Sequence, residues 1–140
     1  MYKKLLLAAL LFAIVACGGA PTEPGVSPLA DGRWAGLGAC LIVAETSDFT
    51  LACGHGQFPR PTLRADGSFD IDGTYRVEAG PVSIGPAPPA HFSGAVSGST
   101  LTLMILPSGG VSLGPYSMQP ASTCPVACLT PVAATAVPSR

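Results

Sequence analysis

The segment Ser68-Phe69-Asp70-Ile71-Asp72-Gly73-Thr74-Tyr75-Arg76-Val77-Glu78 alternates apolar and polar side chains with a period of two. A β-strand sends successive side chains to opposite faces, so Phe69, Ile71, Tyr75 and Val77 share one side. Asp70, Asp72, Thr74, Arg76 and Glu78 take the other. Just before it stands Asp66-Gly67, a dipeptide suited to a two-residue type I′ turn, whose central residues both need positive φ. Residues 62–65 are therefore expected to pair back onto 68–72. A second hairpin is expected from 91–96 and 99–106 across Ser97-Gly98, and a third from 40–44 and 49–53 across 45–48. Trp34 opens the series and 113–118 closes it. Between residues 32 and 120 no stretch carries a helical face.

This pattern predicts an all-β fold of about eight short antiparallel strands joined mostly by hairpins. Closing such a meander into a small up-and-down β-barrel removes exposed edges that would otherwise invite association. A β-sandwich is the alternative, because 80–89 (GPVSIGPAPP) is long enough to cross between two sheets. The expected core draws on Trp34, Phe49, Phe69, Tyr75 and Phe92, and a chain this short is not expected to enclose a large cavity. Gly32-Arg33-Trp34 resembles the Gly-x-Trp entry of the first lipocalin strand. The wider set Cys53-Gly54-His55-Gly56, Asp66-Gly67-x-Phe69, Gly73-Thr74-Tyr75, Gly80-Pro81 and Phe92-Ser93-Gly94 is similar to small bacterial lipoproteins with one β-domain behind a Pro-rich tether. That resemblance implies a class of protein and carries no activity.

At the other extreme of patterning, Lys3 and Lys4 precede an unbroken apolar run over 5–16. As a helix such a run spans ~18 Å, well short of a ~30 Å hydrocarbon core. It therefore reads as a cleaved signal rather than a permanent span. Ordinary signal peptidase needs small residues first and third before the cut. Cleavage after Ala16 would put Ile14 at the third place, whereas cleavage after Ala20 would put Gly18 there and release the chain. The residues Ile14-Val15-Ala16-Cys17 resemble the lipobox of bacterial lipoproteins. This resemblance implies a diacylglyceryl group on the Cys17 thiol and a third chain on its new amino terminus. At about 0.8 kcal/mol per buried methylene, two or more chains anchor a protein stably. Gly18 follows, not the aspartate associated with inner-membrane retention, so the outer membrane or cell surface is the expected address. The organisation is then a signal over 1–16, an acylated, disordered Pro/Gly-rich tether over 17–31, a β-domain over 32–128 and a loose tail over 129–140.

Removing the signal deletes both lysines and leaves five arginines against eight acids, a net charge of −3. There is no basic stripe to neutralise phosphates, which argues against nucleic acid as a partner. Nor is there a polybasic segment to draw the chain onto anionic lipid. The bilayer is expected to be met through acyl chains alone.

Besides Cys17 the chain has Cys40, Cys53, Cys124 and Cys128. In a cytosolic protein Cys53-x-His55 with Cys124-x-x-x-Cys128 would raise a zinc site. Outside the cytoplasm an even set in a small domain is expected to form disulfides, with three possible pairings and no metal. Cys40 falls opposite Cys53 in the expected third hairpin and could meet it directly. A bridge from hairpin to tail would instead close a loop of about 70–90 residues, contributing ~4–5 kcal/mol in the chain-entropy model. The residues after 120 have little else to hold them, so hairpin-to-tail bridges are expected.

His55 and His91 are the only imidazoles, and both read as surface or hairpin-end residues. Asp70 and Asp72 share a strand face at about the 6–7 Å spacing of carboxylate pairs, and read as the solvated side of an alternating strand. No nucleophile elbow, phosphate loop, dinucleotide fingerprint or zinc-protease helix is present, so neither catalysis nor a cofactor is expected. The leading expectation is a binding module of the envelope, meeting an envelope protein, a glycan or a small ligand. An inhibitor of a lysozyme or protease is a second reading, with Val82, Ile84, Pro86 and Pro88 on a proline-stiffened loop. A structural envelope component is the third.

Overall fold

The computed structural model describes residues 25–78, 85–124 and 128. The signal, Cys17, most of the tether, Val82, Ile84 and the tail over 129–140 lie outside the described residues. Eight strands close an antiparallel barrel. They are β2 (Gly32–Gly36), β3 (Ala39–Val43), β4 (Thr46–Leu51), β5 (Gly54–Pro59), β7 (Ser68–Val77), β8 (Pro89–Ser97), β9 (Thr100–Pro107) and β10 (Leu113–Pro120). Two short strands, β1 (Ser27–Pro28) and β6 (Thr62–Leu63), form a separate ribbon. Around the barrel the order is β10-β2-β3-β4-β5-β7-β8-β9, so each barrel strand pairs with its neighbour in sequence, β6 apart. The sandwich alternative does not hold. The arms of the long loop belong to β7 and β8, which pair directly from Ser68↔Ala95 to Thr74↔Pro89.

Alternation sets which side chains fill the interior. Leu41, Phe49, Phe58, Phe69, Phe92, Leu101, Leu103, Ile105 and Met118 are essentially inaccessible to solvent. Phe58 and Phe92 meet with ring centroids 4.3 Å apart, and Phe49 meets Tyr116 at 5.9 Å. Trp34, expected in the core, is only partly buried against it, and Phe58 supplies the bulk instead. Val77 lies on the predicted inner face but is 64% exposed, because β7 ends there at the barrel rim. Most large apolar side chains of the strands point inward, with Ile42, Met104 and Leu106 among those exposed on the outer face. Among the described residues no helix is long and apolar enough to cross a membrane.

Three registers differ from the sequence-based expectation. Thr62 and Leu63 pair with Ser27 and Pro28, not with β7. Over 68–72 one edge of β7 is taken by β8, while β5 pairs only with Thr74 to Val77, and Pro59 and Pro61 have no N–H to extend a ladder across the remaining stretch. A single rung remains of the expected hairpin, from Arg64 N–H to the Ser68 carbonyl at 2.8 Å. The loop it closes has three residues, with Gly67 at φ +80° after a turn from Arg64, which is the bulged form rather than type I′. The 40–53 hairpin turns at Ala44-Glu45, which sets Cys40 opposite Thr50 and leaves Cys53 in the next turn, away from Cys40. The β8–β9 turn is Gly98-Ser99, one residue later than expected.

The segment read as tether is part of the domain from residue 27 onward. Leu29 is only 4% exposed in the core, its N–H bonds the Pro61 carbonyl at 2.8 Å, and Asp31 pairs with Arg60. An apolar side chain that finds a barrel mouth open beside it gains more by plugging it than by staying in water. This plug closes the lower end, where β2, β4 and β7 begin. The upper end, where they finish, carries the 52–53 turn, the 85–88 arm and the 108–112 turn.

Candidate functional site

Cross-strand register arranges the outward side chains of β3, β4, β5 and β7 into rows. One row runs Cys40, Thr50, His55, Arg76, and the next runs Ile42, Asp48, Gln57, Thr74. Adjacent positions are about 4.8 Å apart across strands, and the rows ~6.8 Å apart along them. Over the β4, β5 and β7 part of this grid lies a groove of about 510 Å³. That volume falls within the ~300–1,000 Å³ of small-ligand sites.

Beyond the groove lining, Cys40 on β3 and Cys124 lie at disulfide distance (Cα–Cα 5.5 Å), as do Cys53 in the β4–β5 turn and Cys128 (Cα–Cα 4.6 Å). Cys40 faces outward from β3 yet is 3% exposed, because the returning chain covers it. The Ala121 N–H, bonded to the Arg33 carbonyl at 2.9 Å, starts that return. Pro86 and Ala87 stand along one side of the groove. Their arm is held by Arg76 Nη2 donating to the Gly85 carbonyl at 2.6 Å and by the Tyr75 N–H donating to the Pro88 carbonyl at 2.9 Å.

Within the groove Gln57 Nε2 donates to Asp48 Oδ1 at 2.8 Å, fixing both side chains. His55 Nε2 lies 3.7 Å and Arg76 Nη1 3.9 Å from the Glu78 carboxylate. The floor thus offers two carboxylates, an amide, an imidazole, a guanidinium and two hydroxyls. That arrangement can hydrogen-bond a ligand from several directions at once.

A second cluster lies on the outer face of β7 and β8. His91 Nδ1 is 2.8 Å from Asp72 Oδ1, and His91 Nε2 is 3.4 Å from Asp70 Oδ1. Arg64 Nη1 reaches Asp70 Oδ2 at 2.7 Å. The hydrogen bond to Asp72 raises the His91 pKa above its ordinary value, and that from Arg64 holds Asp70 below its own. The two aspartates therefore bracket a histidine; they do not face each other across a gap. All four groups are well exposed, and this surface charge network borders two open clefts, one lined in part by Asp72 and His91 and the other by Arg64 and Asp70. Among the described residues no group of three or more His, Cys, Asp or Glu side chains is placed to hold a metal.

Of the residues singled out from sequence, His55 and Pro86 line the groove and Pro88 fixes the arm, while Cys40 and Cys53 pair with Cys124 and Cys128 outside its lining. His91, Asp70 and Asp72 come together elsewhere. Sequence reasoning missed Asp48, Thr50, Gln57 and Thr74. Thr74 stood on the outward face of β7 already, while the signal for Asp48, Thr50 and Gln57 was the outward half of the alternation in β4 and β5, hidden because Gly54 and Gly56 occupy inward positions of β5.

Fold and site together define an eight-stranded up-and-down barrel with a filled interior and an external groove. No family model, curated protein or solved structure matches the chain.

Proposed function

We propose that the chain is a lipid-anchored binding module of the bacterial cell envelope, held at the outer membrane or cell surface by acyl chains on Cys17. Its recognition surface is the groove over β4, β5 and β7. The observation that carries this reading is that the interior is filled by aromatic and branched side chains, while a polar groove of about 510 Å³ opens on the outside of the barrel beside Pro86 and Ala87. The leader supports the anchor, and the net charge of −3 on the mature chain leaves acyl chains as the means of membrane contact.

Two measurements test this. Intact mass of the protein from its native membrane is expected to equal residues 17–140 plus a diacylglyceryl group and a third acyl chain, with two hydrogens gained per disulfide on reduction. An unacylated mass beginning at Pro21 would remove the anchor. A photo-crosslinking residue at Thr74 is expected to capture an envelope component in cells that the same residue at Ser99, on the lower end, does not. Equal yields from the two positions would remove the groove as the binding face.

Inhibition of an envelope hydrolase is a second reading, favoured by the arm at Gly85 and Pro88 being bonded in place and therefore cheap in entropy to present. Ile84→Asp is expected to abolish such inhibition. If inhibition persists, the loop is not the inhibitory element.

A further inference from the structure

We infer that the groove binds a neutral, polyhydroxylated ligand, a segment of glycan about the size of a disaccharide. This rests on the reading of the groove as the binding face. Three observations select the ligand class.

The first is hydrogen-bonding character. The Asp48–Gln57 pair, joined at 2.8 Å, presents carboxylate and amide oxygens side by side, flanked by the Thr50 and Thr74 hydroxyls across the register. A sugar hydroxyl donates and accepts at once, so neighbouring hydroxyls satisfy such a row without stranding a donor or an acceptor. A peptide backbone alternates fixed donors and acceptors along one line. It would match a free edge strand, and the sheet here closes into a barrel with no edge strand.

Charge is the second. Asp48 and Glu78 stand against Arg76, with the Glu78 carboxylate shared between His55 and Arg76. With two carboxylates against one guanidinium the floor carries a small negative charge, which disfavours an anionic ligand and is too slight to steer a polycation. A carboxylated or phosphorylated ligand would meet Asp48 with no cation beside it on the floor row of Gln57 and Thr74.

Shape is the third. No floor position outward from β4, β5 or β7 in these rows is a large apolar side chain, so there is no pocket for a hydrophobic peptide anchor. The apolar surface that is present, at Pro86 and Ala87, forms a side wall. A pyranose ring has a hydroxyl-studded edge and a C–H face, which fit this floor and this wall in turn.

The test is titration of the full-length, oxidised protein, followed by amide NMR, with the neutral trisaccharides chitotriose, maltotriose and cellotriose and with trigalacturonate as the anionic comparator. At least one neutral trimer is expected to move the amides of Thr50, His55, Gln57 and Thr74, leaving those of Ser97 and Ser99 unmoved. Gln57→Ala, at an exposed side chain, is expected to weaken that binding about tenfold while the rest of the spectrum stays in place. Asp48→Asn keeps the shape and separates loss of the carboxylate from loss of fold. If trigalacturonate binds and no neutral trimer does, the ligand class is wrong. If no sugar shifts the groove while the Thr74 crosslinker still captures an envelope protein, the groove stands as a binding face and the glycan inference falls. If neither sugar nor crosslink reports on the groove, both fall together.

Discussion

Gly56 sits on the inner face of β5 where a Cβ would lie 2.8 Å from Phe92 Cζ. The Phe58–Phe92 contact at the heart of the barrel exists because that position has no side chain. Gly56→Val is expected to cost about 1–3 kcal/mol, the usual range for overpacking. Urea unfolding reads it directly; an unchanged midpoint would mean that the Phe92 ring can move aside. The His91 network makes a prediction of a different kind. Protonated His91 interacts best with ionised Asp72 and Asp70. A histidine whose pKa is raised on folding contributes stability below its unfolded value of 6.5 and loses it as pH rises through the folded value. Asp70, lowered on folding first by Arg64 and then by His91, contributes above 3.8 and loses it as pH falls through its folded value. The network is therefore strongest in weak acid, between those limits. Because its members are exposed, its effect on global stability is small. The sensitive readout is the NMR titration of His91, whose midpoint is expected to fall in Asp72→Asn and to stay put in Glu78→Gln. An unshifted midpoint in Asp72→Asn would mean the 2.8 Å contact does not form in solution.

Beyond β10 the chain is tied back to the barrel through Cys124 and Cys128. The two cysteine pairs close loops of sequence separation 84 and 75, and loss of a native bridge in a small secreted domain costs about 2–5 kcal/mol. Cys40→Ser with Cys124→Ser is expected to lower denaturant stability by that amount. It should also raise deuterium exchange at Thr50 more than at Thr102, on the opposite side of the barrel. Equal exchange at the two would mean that β4 keeps its protection without the bridge. The lower plug invites the companion test: Leu29→Ala is expected to cost about 2–5 kcal/mol, although Leu29 lies in a stretch that composition marks as tether. These elements divide what sequence can disclose. Strand β7 is legible because both faces carry a clear signal over ten residues. Strand β5 is not, since its inward positions are Gly54, Gly56 and Phe58, and glycine in sequence looks like a turn whether it makes one or leaves room for a neighbouring ring. Leu29 is illegible for a related reason. One apolar residue among prolines gives no period, and its burial depends on a barrel mouth built by residues far along the chain. The hairpin-to-tail pairing was within reach because loop-closure entropy favours it. The groove was not, since it requires knowing the register of four strands, and a shift of one residue sends every outward side chain inward.

For the molecule as a whole, the position of the N-terminal segment decides which way an anchored barrel would face. Gly25 to Leu29 lie at the lower end, beside Pro61 and the β1–β6 ribbon. Fully extended, the eight residues from Cys17 to Pro24 reach at most about 28 Å, roughly the length of the barrel strands themselves. Acylation at Cys17 would therefore hold the lower end near the bilayer and leave the upper end, with its exposed Leu37, Val77 and Val111, pointing away. The groove, opening sideways beside the 85–88 arm, would then face the space alongside the membrane and remain open to glycan or protein there. Energy transfer from a genetically encoded fluorophore to a headgroup-labelled bilayer measures this in the acylated protein. A fluorophore at Ser99, in the lower β8–β9 turn, is expected to transfer more strongly than one at Ser108, in the upper β9–β10 turn. Cys17→Ser is expected to abolish transfer from both, because a mature chain of net charge −3 has no basic segment to replace the acyl chains. Stronger transfer from Ser108 would place the apolar upper rim against the lipid and turn the groove toward the membrane surface, which would make a headgroup glycan its nearest ligand.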